Sequence, residues 1–267
     1  MKSIYHLLWR IPLLVLHILS GLLQELVYLA LLGKSWHRRP FGQHAIKYWM
    51  HLTTAILGLK ITVNGTPAAN QQTMIVANHI SWLDIIALLS IQNSVFLAKD
   101  EVKHWPVIGY LVRSCGTLFI KRGNKTMLKH AISELVAALR RGQSVTLFPE
   151  GTTTEGSEVR NFYSALFSAA IKSESLIQPV AIAYIRGGKP DLVAPYTEEA
   201  SFIRHLLRLL RQDNTQIVIE FLPELCTHTL SRSELARITR QKIQQAIHEI
   251  KLDHGIVMDR LPLVESA

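Results

Sequence analysis

The first long feature of the chain is an almost unbroken apolar run. Residues 11–23 are interrupted only by Pro12, His17, Ser20 and Gly21, and residues 26–32 resume the run after Gln24 and Glu25. About 20 apolar residues are enough to cross a bilayer core, so the segment predicts a membrane-associated helical region. It is longer than a signal-peptide core and ends at no small-residue cleavage site. A carboxylate is costly in hydrocarbon, so Glu25 leaves two readings: a spanning helix with one polar position, or a helical hairpin lying partly in the interface. A buried helix of a soluble core is the plain alternative. Lys34, His37, Arg38 and Arg39 follow at once, which puts the rest of the chain on the cytoplasmic side of an inner or plasma membrane.

Beyond residue 60 the pattern changes. Short apolar or β-branched runs at 74–77, 95–98, 116–120, 145–148, 180–184 and 217–222 have strand length. Helical patterns separate them, the clearest at 125–141, where Leu128, Ala131, Ile132, Leu135 and Leu139 share an apolar face and Gly142 supplies a C-cap. The alternation predicts an α/β fold with a mixed, largely parallel sheet flanked by helices. Residues 1–59 are read as the N-terminal membrane-associated region, 60–225 as the α/β domain, and 226–267 as a C-terminal helical extension packed on it. Within 202–211 a helix would bring Arg204, Arg208 and Arg211 to one side, which suits an anionic bilayer or an ordinary helix packed on the sheet.

Composition narrows little. The 267 residues carry 29 Lys+Arg against 20 Asp+Glu, a formal +9, which fits an anionic membrane, a phosphate-bearing substrate or nucleic acid equally. Cys115 and Cys226 show no metal-ligand spacing and are read as buried thiols in a reducing compartment.

Candidate chemistry lies where strands end. Residues 77–84 read ANHISWLD after one strand, 116–122 read GTLFIKR, and 148–153 read FPEGTT after another. Ser81 and Asp84 could be no more than a capping box. Residues five apart on one helix are rotated by about 140°, so His79 can meet Asp84 only if it precedes the helix. The carboxylate would then fix one imidazole nitrogen and leave the other to accept a proton. No GxSxG elbow supplies a nucleophile, so such a base must act on a substrate hydroxyl or on water.

These blocks, with Gln178, Pro179 and Val180 as a fourth, resemble the glycerolipid acyltransferases and their NHxxxxD signature over roughly residues 60–225. The resemblance implies transfer of a fatty acyl group from acyl-CoA or acyl carrier protein to a lysolipid hydroxyl, with His79 as general base and Asp84 orienting it. It assigns Arg122, Glu150 and Gly151 to the acceptor, with Lys121, Thr152 and Asn78 as further binding residues and Pro179 and Val180 as a wall. No metal or cofactor is implied, the thioester being a co-substrate; the partners are membrane lipids, and no nucleic acid. Glu150 is expected to accept from an acceptor hydroxyl or to hold a basic residue. The first acceptor to consider is 1-acyl-glycerol-3-phosphate. Thr153, where many phosphate-acceptor members carry arginine, points instead to lyso-ornithine lipids, and Arg160 is placed to supply the missing charge. A thioester hydrolase or a noncatalytic membrane adaptor are the readings from other classes.

Overall fold

The computed structural model describes residues 2–33, 35–69, 72–121, 125–197 and 201–256. Two helices come first, α1 (Lys2–Leu32) and α2 (Pro40–Leu57). The chain then alternates through β1 (Leu59–Gly65), β2 (Thr73–Ala77), α3 (Leu83–Ile91), β3 (Val95–Lys99), α4 (Ile108–Ser114), β4 (Leu118–Ile120), α5 (Lys125–Arg140) and β5 (Val145–Leu147). It finishes with α6 (Ser168–Ser173), β6 (Leu176–Arg186), β7 (Lys189–Pro190), α7 (Phe202–Leu210), β8 (Thr215–Phe221) and α8 (Arg232–Asp253). Across the sheet the order is β1-β8-β6-β2-β5-β3-β4, with β7 paired to β6. Strands β6, β2, β5, β3 and β4 run parallel, while β8 and β1 run against them. The sheet is therefore mixed and largely parallel. Strand β1 escapes a hydrophobicity reading because Lys60, Thr62 and Asn64 break up its apolar positions on an exposed edge.

Strand β2 is buried at all five positions, the pattern of a strand covered on both faces. Its alternate side chains feed two cores. Met74 and Val76 pack with Leu135 and Leu139 of α5 and Ile243 and Ile247 of α8. Ile75 and Ala77 pack with Leu83 and Leu88 of α3 and Leu209 and Leu210 of α7. Helix α8, read from sequence as an extension, is thus part of the central packing. It starts at a capping box in which Glu234 N–H donates to Ser231 Oγ (3.3 Å) and Ser231 N–H donates to Glu234 Oε2 (2.9 Å). Helix α7 packs on the sheet through Leu209 and Leu210 and keeps Arg204, Arg208 and Arg211 exposed, so both readings of that helix are compatible.

Helix α1 is inverted relative to a soluble helix. Arg10, His17 and Glu25 are buried, each 7% exposed or less, while Leu8, Leu16, Leu19, Leu23, Leu26 and Leu31 are exposed. Spacings of seven and eight residues put the three polar side chains on one stripe, and that stripe faces the protein. His17 stacks on Trp49 of α2 with ring centroids 4.3 Å apart, and its Nε2 lies 2.9 Å from Thr53 Oγ1. The inward turn takes Glu25 off the exposed leucine face, although its Oε2 is buried without a hydrogen-bond partner among the described residues. The reading of α1 as a buried core helix is excluded by its exposed leucines.

Arg10 fastens α1 to the end of α7. Its Nη1 donates to the carbonyls of Leu210 (3.2 Å) and Gln212 (2.6 Å), and its Nη2 donates to that of Asp213 (3.3 Å). The Leu210 carbonyl belongs to the last turn of α7 and has no partner within the helix, the other two follow in the turn beyond it, and a cation there also meets the negative end of the helix dipole. The guanidinium lies so close to Gly58, whose φ is +70°, that an added Cβ would approach Nη2 to 2.5 Å. Arg10→Ala should leave these carbonyls unsatisfied at a cost of about 1–3 kcal/mol. The measurement is thermal unfolding in detergent, where a drop in Tm of several degrees is expected; an unchanged Tm would contradict the clip.

Candidate active site

Strands β2 and β5 are parallel neighbours, so the loops that follow Ala77 and Leu147 leave the same edge of the sheet. Asn78 is the first residue past β2. Its Nδ2 donates to Ile182 O (2.9 Å) and its Oδ1 accepts from Ile182 N–H (2.8 Å). The amide continues the β2–β6 ladder where the backbone turns away, and it is only 2% exposed. Asn78 is thus a strand-end latch, contrary to its expected place among the substrate-binding residues. An amide carries the donor and the acceptor that such a latch requires.

His79 precedes α3 and Asp84 sits in the helix's first turn. Asp84 Oδ2 lies 2.8 Å from His79 Nδ1 and also accepts from the backbone N–H groups of Ile80 (2.7 Å) and Ser81 (3.0 Å). Asp84 Oδ1 accepts from the Tyr184 hydroxyl at 2.6 Å. Asp84 has no solvent exposure; four donors keep its buried charge tolerable. The ionised carboxylate can only accept, so His79 carries its proton on Nδ1 and presents Nε2 as a base. Nε2 has no hydrogen-bond partner among the described residues, and the side chain is 18% exposed. The capping box foreseen at Ser81 does not form: Trp82 is the N-cap without a side-chain cap, and Ser81 Oγ is buried without a partner.

Tyr184 was not legible in the sequence. Strand β6 continues well past the end of β2, whose last residue pairs with Val180, and this overhang carries Tyr184 to Asp84. Burial, and then the neighbouring Asp84, hold the phenol pKa well above its ordinary value, so the hydroxyl remains a donor. The other face of the base is set by Phe148, which stacks on the His79 ring with centroids 4.0 Å apart.

Glu150 holds a basic residue, the second of its two expected roles, but by the backbone rather than the side chain. Its Oε1 accepts from His79 N–H (2.7 Å) and its Oε2 from Arg160 N–H (2.8 Å), so the carboxylate holds backbone. Burial nevertheless raises its pKa. Gly151 takes φ +73° in the turn after it, a conformation that glycine enters without steric cost. The Thr153 hydroxyl donates to Tyr196 O, and Tyr196 N–H donates to Ile80 O (3.0 Å). His205 secures the same strap: its Nδ1 accepts from Trp82 Nε1 (3.1 Å), and its Nε2 donates to Val193 O (3.0 Å) and Pro195 O (3.1 Å). Burial lowers the His205 pKa, in keeping with a neutral ring.

The remaining expectations are placed as follows. Lys121 is exposed just past β4, Thr152 is half-buried beside Gly151, and Arg122 lies outside the described residues. Pro179 and Val180 are buried inside β6 between β2 and β8, as sheet core. Cys115 is half-buried and burial pushes its thiol up to about 12. Cys226, expected to be buried, is exposed because it follows β8 in an extended segment on the way to α8.

A family model described as Acyltransferase matches residues 60–183. A lyso-ornithine lipid O-acyltransferase of Pseudomonas aeruginosa is 37% identical over 78% of this chain and 80% of its own length. A 1-acyl-sn-glycerol-3-phosphate acyltransferase of Neisseria gonorrhoeae is 30% identical over 74% of this chain and 76% of its own. The chain belongs to the acyltransferase family. The crystal structure of the 1-acyl-sn-glycerophosphate acyltransferase PlsC from Thermotoga maritima shares the fold, with a TM-score of 0.69 at 19% identity over 94% of this chain and 98% of the other. This acyltransferase is an O-acyltransferase of the lysolipid type.

Two substitutions test the site. In this acyltransferase His79→Ala should lower turnover about 10³-fold, within the 10²–10⁴ range of general-base catalysis; near-normal turnover by the folded variant would remove His79 from the chemistry. Tyr184→Phe removes one hydrogen bond to a charged group, about 1.5–3 kcal/mol. The carboxylate left with one donor fewer holds the His79 ring less firmly, so kcat should fall while KM stays near its wild-type value. An unchanged kcat would reduce Tyr184 to a packing residue.

Proposed function

We propose that this lysolipid O-acyltransferase works by direct transfer, with lyso-ornithine lipid as its preferred acceptor. His79 Nε2 takes the proton of the acceptor hydroxyl while that oxygen attacks the thioester carbonyl of acyl-CoA or acyl carrier protein. The tetrahedral intermediate then breaks its C–S bond, and the thiolate leaves with the proton held by His79. Asp84 stabilises the imidazolium between the two steps. No acyl-cysteine is required, and a Cys115 thiol pushed up to about 12 is a poor nucleophile.

The observation that carries the acceptor assignment is the state of Thr153. Where phosphate-acceptor members place arginine, this chain has a hydroxyl already donating to Tyr196 O, so the turn itself offers no cation. The 37% identity to a lyso-ornithine lipid O-acyltransferase agrees. Acylation of 1-acyl-glycerol-3-phosphate is the second reading, favoured by the exposed Lys121 and by the Neisseria relative. The exposed apolar face of α1, joined by Phe41, Tyr48 and Leu52 of α2, supports an α1–α2 hairpin seated in the interface of the inner membrane, with its polar stripe turned to the protein and residues 60–225 as the catalytic domain on the cytoplasmic side.

The test is purified enzyme with one acyl thioester, with lyso-ornithine lipid, with 1-acyl-glycerol-3-phosphate and without acceptor, the products being weighed by mass spectrometry. Preferential acylation of lyso-ornithine lipid, little affected by Arg122→Ala, is expected. A preference for the phosphate acceptor that Arg122→Ala cuts about 10- to 150-fold would reverse the assignment, and thioester cleavage independent of acceptor would indicate a hydrolase.

A further inference from the structure

Behind the Glu150 turn lies a groove of about 550 Å³ bounded by residues 150–152, by residues 158–163 and by α8. That volume suits a small polar head. We infer that this groove binds the zwitterionic head of the acceptor, its carboxylate between Arg160 and Arg240 and its ammonium at Glu158; the inference rests on the proposed acceptor.

The groove is held in shape by one face of α8. Arg240 Nε donates to Val159 O (2.9 Å) and Arg160 O (3.2 Å), Gln244 Oε1 accepts from Val159 N–H (2.8 Å), and Lys251 Nζ donates to Gly156 O (2.9 Å) and Ser157 O (3.3 Å). This lacing spends Arg240 Nε and leaves both terminal nitrogens without a partner among the described residues. The Arg160 guanidinium is likewise unpartnered among them. Two guanidinium groups lining one groove, Arg160 from the loop and Arg240 from α8, are planar, multidentate partners for a carboxylate. The Glu158 carboxylate lines the same groove and makes no hydrogen bond among the described residues, although it interacts electrostatically with Lys251. A phosphate monoester would find the two arginines but would also meet Glu158, whereas an amino-acid head places an opposite charge at each.

The position fits the reaction. Glu150, which lines the groove, links the backbone amide of His79 to that of Arg160 through its two oxygens, so the motif loop and the groove wall share one carboxylate. In an ornithine bearing a 3-hydroxyacyl amide on its α-nitrogen, six bonds join the reacting oxygen to the carboxylate carbon, a reach of roughly 6–7 Å. The assignment requires the carboxylate to sit within that reach of the hydroxyl held at His79.

The experiment uses full-length enzyme, a short-chain dispersed lyso-ornithine lipid, and two analogues, one amidated at the carboxyl group and one acetylated at the terminal amine. With wild type each modification should raise KM about 10-fold or more. Arg160→Gln, at an exposed side chain on which folding does not depend, should raise KM for the parent lipid and largely abolish the penalty for amidation. Glu158→Gln should do the same for acetylation alone, and Arg240→Gln, if it folds, should behave like Arg160→Gln. Penalties that persist undiminished in the single variants would overturn the groove assignment while leaving the acceptor intact. A wild-type enzyme that acylates no lyso-ornithine lipid would instead overturn the acceptor, and the head-specific assignment with it.

Discussion

The Asp84 carboxylate is the constraint around which the site is built. A buried ion left unpaired costs several kcal/mol, and Asp84 has no exposure. Its four donors come from the loop after β2, the His79 ring and the far end of β6. Satisfying that charge fixes where α3 begins, how the loop folds and which imidazole nitrogen is free. Orientation of the base thus follows from the same electrostatics that make the fold at this corner unique.

Membrane association and catalysis meet through α7. Helix α1 exposes leucines and buries Arg10, His17 and Glu25, an arrangement that suits a lipid exterior on one side and protein on the other. Arg10 closes the carboxyl end of α7, and His205 within α7 holds Trp82 of the motif loop and the 193–195 strap. The apolar helix and the base are therefore joined by contiguous hydrogen-bonded elements. This acyltransferase brings the exposed apolar face of α1 and the His79–Asp84 pair to connected elements at one corner of the sheet.

The FPEGTT turn serves the architecture of the site. Glu150 accepts from two backbone amides, and Thr153 donates its hydroxyl to the Tyr196 carbonyl. These bonds hold the FPEGTT turn against the His79 loop on one side and against the Tyr196 strap on the other. Cationic side chains reach the neighbouring groove from residues 160 and 240 instead, one on the following segment and the other on the last helix.

The sequence by itself determined most of the elements past residue 60, β1 apart, and the local meeting of His79 with Asp84. Alternation of apolar runs gave a mixed, largely parallel sheet, and the spacing of His79 and Asp84 required the histidine to precede its helix, because such local geometry is written in neighbouring residues. It could not show that Asn78 continues a strand ladder, that Glu150 clamps backbone, or that Cys226 is exposed, since each depends on what the fold brings alongside. Tyr184 lies 100 residues from Asp84, and Arg240 lies 81 residues from Val159. Only the tertiary structure decided their places: the overhang of β6 carries one to Asp84, and the packing of α8 brings the other to the groove.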